Sequence, residues 1–311
     1  DFWRLFQTPH GVCPTAVALD GEKFAGLYTL WPISLNLGGE VVVGAQSMDT
    51  MTHPDYQGKG LFTKLALASY EIAAGRGIKA MYGFPNVNSY PGFVRRLNWD
   101  HTGDIWHYIR PLKISRHPRI PAFLGAPADI ITKVWPAGKK SNRVIESTKP
   151  PWSEVSTLLS TIFVERDICR IERSEAWFDW RYSKNAMNNY TWLSCRSYNG
   201  TLVAVAIWGM RSSYWGKSAD NRAHLVELFG SDPDAISDVL AESIRQAREA
   251  GALLMETICQ HPQSERALRQ AGFLRHRRAP FITRKLTAEN LLSNIHTHNA
   301  WYIFGGDIDT F

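Results

Sequence analysis

The chain has 311 residues, which is long for one small domain and suits two domains of about 100–200 residues each. Hydrophobic residues make up 44% and charged residues 21% of the chain, a composition that excludes a disordered or fibrous protein. No apolar run approaches the roughly 20 residues that cross a bilayer, so we expect no membrane span.

The formal net charge of +6 is concentrated in residues 110–149, a proline-rich stretch with nine Lys/Arg and two acids. Such a stretch attracts anions such as nucleic acid, a membrane surface or a phosphorylated small molecule, or it is simply a solvated linker. Because it has many prolines and little periodicity, we interpret residues 111–150 as a linker between a domain at 1–110 and a domain at 151–311.

Four cysteines lie far apart and form no CxxC pair, which predicts reduced thiols and neither a disulfide framework nor a zinc site. The HxH at residues 296–298 lacks further ligands at a suitable spacing, so we expect no metal. The first residues have neither the basic nor the apolar region of a signal peptide. These features together predict a cytoplasmic protein.

In the first half, short β-rich runs alternate with two helical segments. Apolar residues at a helical spacing over 61–74 predict a helix with one buried face, ended by Gly75 and Gly77. The predicted order is strands at 15–19, 24–30 and 41–51, the helix at 61–74, a strand at 78–84 and a second helix at 89–97.

The second half repeats this order. Ser231 and Asp232 open a helix that has Pro233 in its first turn and Gly251 at its end. The predicted elements are strands at 202–208 and 224–229, the helix at 232–250, a strand at 252–259 and a helix at 263–271. The apolar tail at 301–304 predicts a strand packed against the body of the protein.

The most informative segment is residues 52–62, which read THPDYQGKGLF between a predicted strand and a predicted helix. Gly58 and Gly60 allow the backbone to turn tightly with its N–H groups pointing into one small space. The positive end of the following helix dipole and the charge of Lys59 attract an anion. Together these features predict a binding site for a pyrophosphate.

Three phosphate-binding motifs can be compared with this segment. The P-loop pattern GxxxxGK[ST] is absent, and the dinucleotide pattern GxGxxG fails because Thr63 stands at its third glycine and a parallel βαβ context is missing. The GNAT acetyltransferase loop, [QR]xxGx[GA], is matched by Gln57 and Gly60, whereas Phe62 replaces its last small residue. An ordinary glycine turn between strand and helix is the structural alternative.

Residues 15–110, and more faintly 150–286, resemble the GNAT superfamily of acetyltransferases. The resemblance implies an α/β (α+β) fold of tandem GNAT-like domains, each a mixed, mostly antiparallel, splayed sheet flanked by helices. Within the superfamily the chain is most similar to two-domain N-acyltransferases of surface-polysaccharide biosynthesis. The similar segments are DTMTHP at 49–54, WRY at 180–182 and WYIFGGD at 301–307.

This resemblance implies a function. It implies transfer of an acyl group from acyl-CoA, either acetyl-CoA or a longer acyl-CoA, to the amine of a nucleotide-linked amino sugar, without a metal. The backbone of the splayed strand is then expected to bind the pantetheine arm and to direct one N–H at the thioester oxygen. The cofactor-binding residues implied are Thr50, Met51, Thr52, Gln57, Gly58, Lys59, Gly60, Leu61 and Phe62, with Asn86 or Asn88 on the cofactor arm.

Attack of an amine on a thioester needs a base for the amine proton, and the departing thiolate benefits from an acid. The usual glutamate position of the family falls on Gln46, which cannot be a base. Asp49 is therefore the candidate base and Glu227 its rival, unless these acids only hold backbone or hydroxyl groups. Tyr90 is the candidate acid, unless it only packs. A mechanism without a dedicated acid stays open.

Trp177, Trp180 and Arg181 could line an acceptor pocket by stacking on a base or sugar, or they could pack in the core. In the second domain, residues 230–234 read GSDPD and place two carboxylates where a pyrophosphate would bind. We expect mutual repulsion there, so the second domain is predicted to be degenerate and not to bind CoA.

Three other functions stay open at this point. An acetyltransferase of aminoglycosides or other polyamines would need an acidic cleft, which this basic chain does not indicate. A non-catalytic CoA-binding protein is favoured by Gln46. A nucleic-acid-binding module would use residues 110–149, but no helix-turn-helix, zinc or RNP pattern supports it, so we expect no nucleic-acid partner. The sequence carries no indication of an oligomeric state.

Overall fold

The computed structural model describes residues 7–113, 143–164, 168–183, 189–210, 221–287 and 294–308. The strands are β1 (Gln7–Thr8), β2 (Gly11–Val12), β3 (Thr15–Asp20), β4 (Lys23–Leu37), β5 (Glu40–Thr52), β6 (Ala80–Gly83), β7 (Asp100–Pro111), β8 (Ile145–Glu146), β9 (Cys169–Ile171), β10 (Tyr190–Arg196), β11 (Leu202–Met210), β12 (Arg222–Gly230), β13 (Leu254–Gln260), β14 (Leu274–Lys285) and β15 (Ile303–Phe304). The α-helices are α1 (Leu61–Gly75), α2 (Tyr90–Arg96), α3 (Trp152–Ile162), α4 (Glu175–Phe178), α5 (Pro233–Glu249) and α6 (Pro262–Gln270).

The four helices expected from the sequence are confirmed to within one residue at each end, as α1, α2, α5 and α6. The long strands that were not expected as such include β4, β7 and β14. β4 extends through Pro32 to Leu37, and β14 runs through the arginine-rich segment 274–278 and Pro280. Proline and charged residues interrupt the apolar pattern of a strand, so neighbouring strands and not local sequence determine these two elements.

The chain divides into two compact units, each assembled from several segments. Unit 1 consists of Asp1–Ile105, Glu165–Trp180 and Ala279–Tyr302. Unit 2 consists of Trp106–Val164, Arg181–Arg278 and Ile303–Phe311. The sequence predicted contiguous domains at 1–110 and 151–311. Turn residues mark where elements end but not which elements pair, so an exchange of segments has no local sequence pattern.

In unit 1 the strands follow the order β3-β4-β5-β6-β14, and β9 pairs with β4. All neighbouring pairs are antiparallel except β5 and β6, which are parallel. Helix α1 covers this sheet with one apolar face, which is formed by Leu65, Ala66, Tyr70 and Ala73. These side chains join Tyr28, Leu30, Met81, Phe93 and Trp99 in the core.

In unit 2 the order is β7-β13-β12-β11-β10-β8, and β15 pairs with β13. The single parallel pair is β12 with β13. Helix α5 connects these two strands, and its buried face contains Ile236, Val239, Leu240 and Ile244. Each unit therefore has the order strand, helix, parallel strand, helix, which confirms the mixed, mostly antiparallel sheets expected from the sequence.

Of the predicted linker, residues 114–142 lie outside the described residues. The basic side chains at 116, 119, 133, 139 and 140 are among them. Among the described residues, no helix has both the length and the apolar character needed to cross a membrane.

Candidate functional site

Strand β5 of unit 1 separates from β6 before it ends. The parallel pairing between the two strands covers three residue pairs and ends at Gln46–Tyr82. The antiparallel pairing of β5 with β4 continues to Thr52. Within the described part of the chain, residues 47–52 of β5 therefore have no strand partner on one side. The unpaired backbone groups on this side can bind a ligand. The expected pantetheine-binding residues lie on this edge: Thr50, Met51 and Thr52.

Asp49 lies at an irregularity in β5. The register between β4 and β5 shifts opposite residues 27–29, and Asp49 has a φ of 39°, in the left-handed region. An extra residue in one strand of an antiparallel pair bends that strand. Asp49 reaches solvent, but the protein atoms around its carboxyl desolvate it and raise its pKa above the ordinary value. A raised pKa makes a carboxylate a stronger base, which suits the role predicted for Asp49.

Gln46, at the usual position of the family's glutamate, is 3% exposed. Its Oε1 accepts a hydrogen bond of 3.3 Å from the Tyr82 hydroxyl, which is itself buried. The structure therefore has a neutral, hydrogen-bonded amide at the point where the two strands separate.

A short 3-10 helix, Pro54–Tyr56, turns the chain out of β5. Its cap is His53, whose Nδ1 accepts a hydrogen bond of 3.3 Å from the backbone N–H of Asp55. Gln57 then reaches back, and its Nε2 donates to the Thr52 carbonyl at 3.3 Å. In this structure the Gln57 side chain therefore holds the turn to the end of the strand.

Gly58 and Gly60 give the turn its shape. Their φ angles are +75° and +74°, which a side chain would make strained, although open space surrounds both Cα atoms. Gly60 is the N-cap of α1 and provides no side-chain cap for the helix. The first N–H groups of a helix have no intrahelical partner. The turn and the start of α1 therefore fit an anionic group such as a pyrophosphate.

Lys59 is exposed beside this turn, with its Nζ 5.1 Å from the centre of the Tyr56 ring. Lys23 lies near the same ring at 5.3 Å and forms an ion pair of 2.8 Å with Asp55. The charge of Lys23 is thus partly balanced, whereas the described residues contain no acidic partner for Lys59. Lys59 is the cation that favours an anion at this turn.

Leu61 and Phe62 begin α1, and the aromatic side chain of Phe62 supports the packing of α1 on α2. Its ring lies 5.3 Å from that of Phe93 and 6.0 Å from that of Tyr28. A Cβ at Gly92 would be only 2.8 Å from the Phe62 ring. The large residue that departs from the family pattern is therefore accommodated by a glycine on α2.

Asn86 and Asn88 are exposed in the turn before α2. The side-chain oxygen of Asn86 accepts hydrogen bonds from the backbone N–H groups of Asn88 and Ser89, at 2.9 and 3.0 Å. Tyr90 follows as the first residue of α2, half-buried, with its ring 5.6 Å from His101. The Asn86 oxygen thus shapes the turn, and the roles predicted for Asn86, Asn88 and Tyr90 stay predictions.

The equivalent turn in unit 2 is closed by its own side chain. The Oδ1 of Asp232 accepts hydrogen bonds from Asp234 N–H and Ala235 N–H at 2.8 and 3.2 Å, so it caps α5. Its Oδ2 is 2.8 Å from Arg143 Nη2. The bond from Arg143, followed by the bonds from the helix N–H groups, lowers the pKa of Asp232. A protein carboxylate therefore occupies the anion position of this helix.

The gap between the parallel strands of unit 2 is also filled. β12 and β13 pair only as far as His224–Glu256. Beyond that point β15 pairs with β13, and the backbone at Gly305 fits between the strands, because a Cβ there would lie 2.5 Å from the Leu225 carbonyl and 2.8 Å from Thr257 Oγ1. The segment Ile303–Phe304 and the 3-10 helix Gly305–Asp307 thus form a plug in this gap, which we call the C-terminal plug.

Glu227 and Arg181 are part of this closed arrangement. Glu227 is fully buried, and its Oε1 accepts a hydrogen bond of 2.9 Å from the Tyr182 hydroxyl. Arg181 donates to the backbone carbonyls of Gly306 and Ile308, at 3.2 and 2.8 Å. Arg181 therefore holds the C-terminal plug, whereas Glu227 accepts from Tyr182 and lies beside Gly306. The roles predicted for the two side chains in catalysis and acceptor binding stay predictions.

The two tryptophans of the predicted acceptor pocket belong to unit 1. Trp177 is buried, with the Arg173 guanidinium 5.5 Å from its ring centre. Trp180 is half-buried; its Nε1 donates to the Gln7 carbonyl at 2.9 Å, and its ring packs edge-on against Trp31 at 5.1 Å. Only Trp180 therefore has surface that an acceptor could contact.

A buried cluster in unit 2 was not expected from the sequence. Glu256 on β13 lies 3.2 Å from His107 Nε2 and 3.6 Å from His224 Nδ1, and all three side chains are at most 6% exposed. Despite the opposing effect of burial, His107 and His224 lower the pKa of Glu256. Isolated polar residues in three strands are the only sequence indication of this cluster. Among the described residues, no group of His, Cys, Asp and Glu could hold a metal ion.

Comparison with known proteins agrees with this geometry. Residues 1–102, about a third of the chain, match the family model of the acetyltransferase (GNAT) domain. No curated protein sequence matches the chain. The match contains the open turn and α1 but not unit 2.

Several solved structures share the fold. A protein of unknown function from Enterococcus faecalis V583, described as a probable N-acyltransferase, has 14% identity and a TM-score of 0.57, covering 86% of this chain and 61% of its own. Saccharomyces cerevisiae N-myristoyltransferase with bound myristoyl-CoA has 11% identity and a TM-score of 0.61, with 84% and 67% covered. A tandem GNAT protein from the clavulanic acid biosynthesis pathway has 15% identity and a TM-score of 0.54, with 92% and 86% covered.

At these identities the likeness shows the fold alone, and one of the three structures is described as a tandem GNAT protein. The chain spans 61% and 67% of the first two of these proteins, which are longer. None of these three structures is described as acting on a sugar.

Proposed function

We propose that the protein is an acyl-CoA-dependent N-acyltransferase whose acyl donor binds in unit 1. The observation that carries this proposal is the contrast between two equivalent turns. The turn before α1 has two glycines with positive φ and a helix start without a side-chain cap, next to an open strand edge. The turn before α5 is capped by Asp232, and the gap beside it is filled by the C-terminal plug.

The donor fits the open site in two places. The pyrophosphate of acyl-CoA would bind the N–H groups around Gly58 and Gly60, with Lys59 as a counter-charge. The pantetheine arm would bind the backbone edge at 50–52, where an N–H directed at the thioester oxygen would stabilise the charge that develops there. Acetyl-CoA and longer acyl-CoA both offer these groups.

The reaction is attack of a neutral amine on the thioester carbon. A C–N bond forms, the C–S bond breaks, the amine loses a proton and the departing thiolate gains one. Asp49 is the base that we propose, because the raised pKa of its carboxyl favours proton uptake and it reaches solvent. Glu227 is the weaker alternative, because it is fully buried with a hydrogen bond from Tyr182. Tyr90 is the proposed acid.

For the acceptor we propose a nucleotide-linked amino sugar. The support is the similarity of residues 49–54, 180–182 and 301–307 to enzymes of that class, together with the net charge of +6, which suits a diphosphate. Trp180 is half-buried, so part of its side chain remains for contact with a sugar or base. None of the four cysteines forms a disulfide, in keeping with the cytoplasmic location that we propose.

The test is a calorimetric titration of acetyl-CoA into the wild type and into Gly60→Glu, with Gly77→Glu as the matched control. Gly77 has a φ of +76° and open space around it, as Gly60 has, but it lies beyond the other end of α1. We expect one site per chain, abolished by Gly60→Glu and kept by Gly77→Glu. Absence of binding to the wild type, or equal loss in both variants, would contradict the proposal.

Turnover is tested next by measuring free CoA released in the presence of amines. We expect release with nucleotide-linked amino sugars. Release only with aminoglycosides would identify the polyamine acetyltransferase instead. Tight binding of acetyl-CoA without turnover on either class would identify a CoA-binding protein.

A further inference from the structure

Four side chains of unit 1 form one continuous series of hydrogen bonds, which we call the hydroxyl chain. The indole Nε1 of Trp99 donates to the Tyr70 hydroxyl at 2.9 Å. The Tyr70 hydroxyl lies 2.9 Å from the Tyr28 hydroxyl, which lies 2.7 Å from Ser47 Oγ. Tyr28, Tyr70 and Trp99 are buried, and Ser47 is half-buried.

The chemistry of Trp99 fixes the direction of this chain. An indole N–H can only donate, so the Tyr70 oxygen accepts from it. Among the described residues, the only acceptor within reach of the Tyr70 hydrogen is the Tyr28 oxygen. Tyr28 in turn donates to Ser47 Oγ. The Ser47 hydrogen is then directed away from the chain and is available to a further acceptor.

The direction of the hydroxyl chain also excludes a proton relay. A relay needs an acceptor at its far end, and the indole nitrogen of Trp99 cannot take up a proton. Burial raises the pKa of Tyr28 well above its ordinary value and that of Tyr70 to about 12. Both hydroxyls therefore stay protonated at physiological pH, and the direction of the chain does not change with pH.

Ser47 lies at the narrow end of the gap between β5 and β6. It directly follows Gln46, where the pairing of the two strands ends. On β6 the facing residue is Gly83, and a Cβ built there would be 3.5 Å from Ser47 Cβ. The open strand edge at 47–52 thus begins with a hydroxyl group whose orientation is set from the core.

We propose that Ser47 donates a hydrogen bond to the acyl carbonyl oxygen of the acyl-CoA bound in unit 1, with Tyr28, Tyr70 and Trp99 as positioning residues. This inference rests on the proposed function, because it needs an acyl donor in the gap. Ser47 would supply a side-chain donor where the strand edge begins, and the backbone at 50–52 would bind the pantetheine arm. A donor held in place before the reaction stabilises developing negative charge without a cost of reorganisation.

Infrared difference spectroscopy tests the inference directly. Acetyl-CoA with an isotope label at the carbonyl carbon is bound to the wild type, to Ser47→Ala and to Ser69→Ala. Ser69 is the control, because it too contacts Tyr28: its Oγ donates to the backbone carbonyl of Tyr28 at 3.0 Å, outside the hydroxyl chain. A hydrogen bond to a carbonyl lowers its stretching frequency.

We expect the frequency of the bound carbonyl to rise in Ser47→Ala and to stay at the wild-type value in Ser69→Ala. Ser47→Thr, which keeps the hydroxyl, is expected to restore the low frequency. Loss of one hydrogen bond should weaken acetyl-CoA binding by at most about tenfold. Tyr70→Phe, which interrupts the chain, should give a broader band at an intermediate frequency and provides a second readout if Ser47→Ala does not fold.

The outcomes separate this inference from the proposed function. If calorimetry shows no binding of acetyl-CoA to the wild type, the proposed function is wrong and the inference is overturned with it. If the wild type binds acetyl-CoA and the carbonyl frequency is the same in Ser47→Ala, the inference alone is overturned.

Discussion

Gly58 and Gly60 determine whether the turn before α1 can form. At both positions an added Cβ would meet open space, so the cost of a substitution comes from the left-handed backbone alone. The same holds for Gly77 after α1. Substitutions at these three glycines can therefore separate the effect of backbone strain on stability from the effect on ligand binding.

We predict that Gly58→Ala and Gly77→Ala destabilise the protein equally, by about 1 kcal/mol, as measured by chemical denaturation. Only Gly58→Ala should weaken acetyl-CoA binding, because its strained backbone lies in the turn that binds the pyrophosphate. Similar affinities of the two variants for acetyl-CoA would show that the turn does not hold the donor.

Asp49 is predicted to combine a cost in stability with a role in activity. Its pKa is raised in the folded protein, so its ionisation opposes folding, and stability falls as the pH rises from the unfolded pKa through the folded pKa. Asp49→Asn should remove this loss and stabilise the protein near neutral pH by at most about 1 kcal/mol, because the residue reaches solvent. The rate of CoA release should fall in the same variant. An unchanged rate would exclude Asp49 as the base.

At the scale of elements, the start of α5 depends on Asp232. Its pKa is lowered in the folded protein by Arg143 and by the helix N–H groups. Its charge therefore contributes stability above the unfolded pKa, and this contribution is lost as the pH falls through the folded pKa.

We predict that Asp232→Asn, which keeps a capping side chain, lowers stability at neutral pH by about 1 kcal/mol and flattens the loss of stability below about pH 4. The control is Asp234→Asn in the same first turn of α5. Thermal unfolding across this pH range provides the measurement. Identical profiles of stability against pH for Asp232→Asn and the wild type would show that the charge of Asp232 does not stabilise α5.

The C-terminal plug requires glycine at two positions. A Cβ at Gly306 would overlap the Tyr182 hydroxyl and lie 3.0 Å from the Val226 carbonyl. We predict that Gly306→Ala destabilises the protein by about 2 kcal/mol in thermal unfolding. Gly200→Ala, at a φ of +85° with open space around it, should show only the smaller cost of backbone strain. An equal loss in the two variants would contradict the packing described for the plug.

Local patterns and long-range pairing differ in how far the sequence reveals them. The turn at 57–60 and the helices α1 and α5 could be predicted, because glycines, caps and apolar spacing act over a few residues. The tail at 301–304 was also expected to form a packed strand, and β15 lies within it. Its place between β12 and β13 could not be predicted, because Gly305 packs against Leu225, far away in the chain. The hydroxyl chain likewise joins Ser47 to Trp99 through two other elements, and each of its residues alone fits an ordinary core.

Over the whole molecule, the two units have the same order of elements. They differ at the equivalent turn, which is open in unit 1 and closed in unit 2. Unit 1 keeps an open strand edge and an uncapped helix start, whereas unit 2 fills its gap with the C-terminal plug and caps its helix with Asp232. We therefore infer that the chain has one acyl-CoA site and that this site is in unit 1.

Hydrogen exchange of backbone amides, with and without saturating acetyl-CoA, tests this claim most directly, because it reports on both turns in the same sample. We predict slower exchange in the bound protein at residues 50–63, which contain the strand edge, the turn and the start of α1. We predict no change at residues 230–237, where Asp232 already holds the helix N–H groups. Protection at 230–237, or no protection at 50–63 when acetyl-CoA is bound, would contradict a single acyl-CoA site in unit 1.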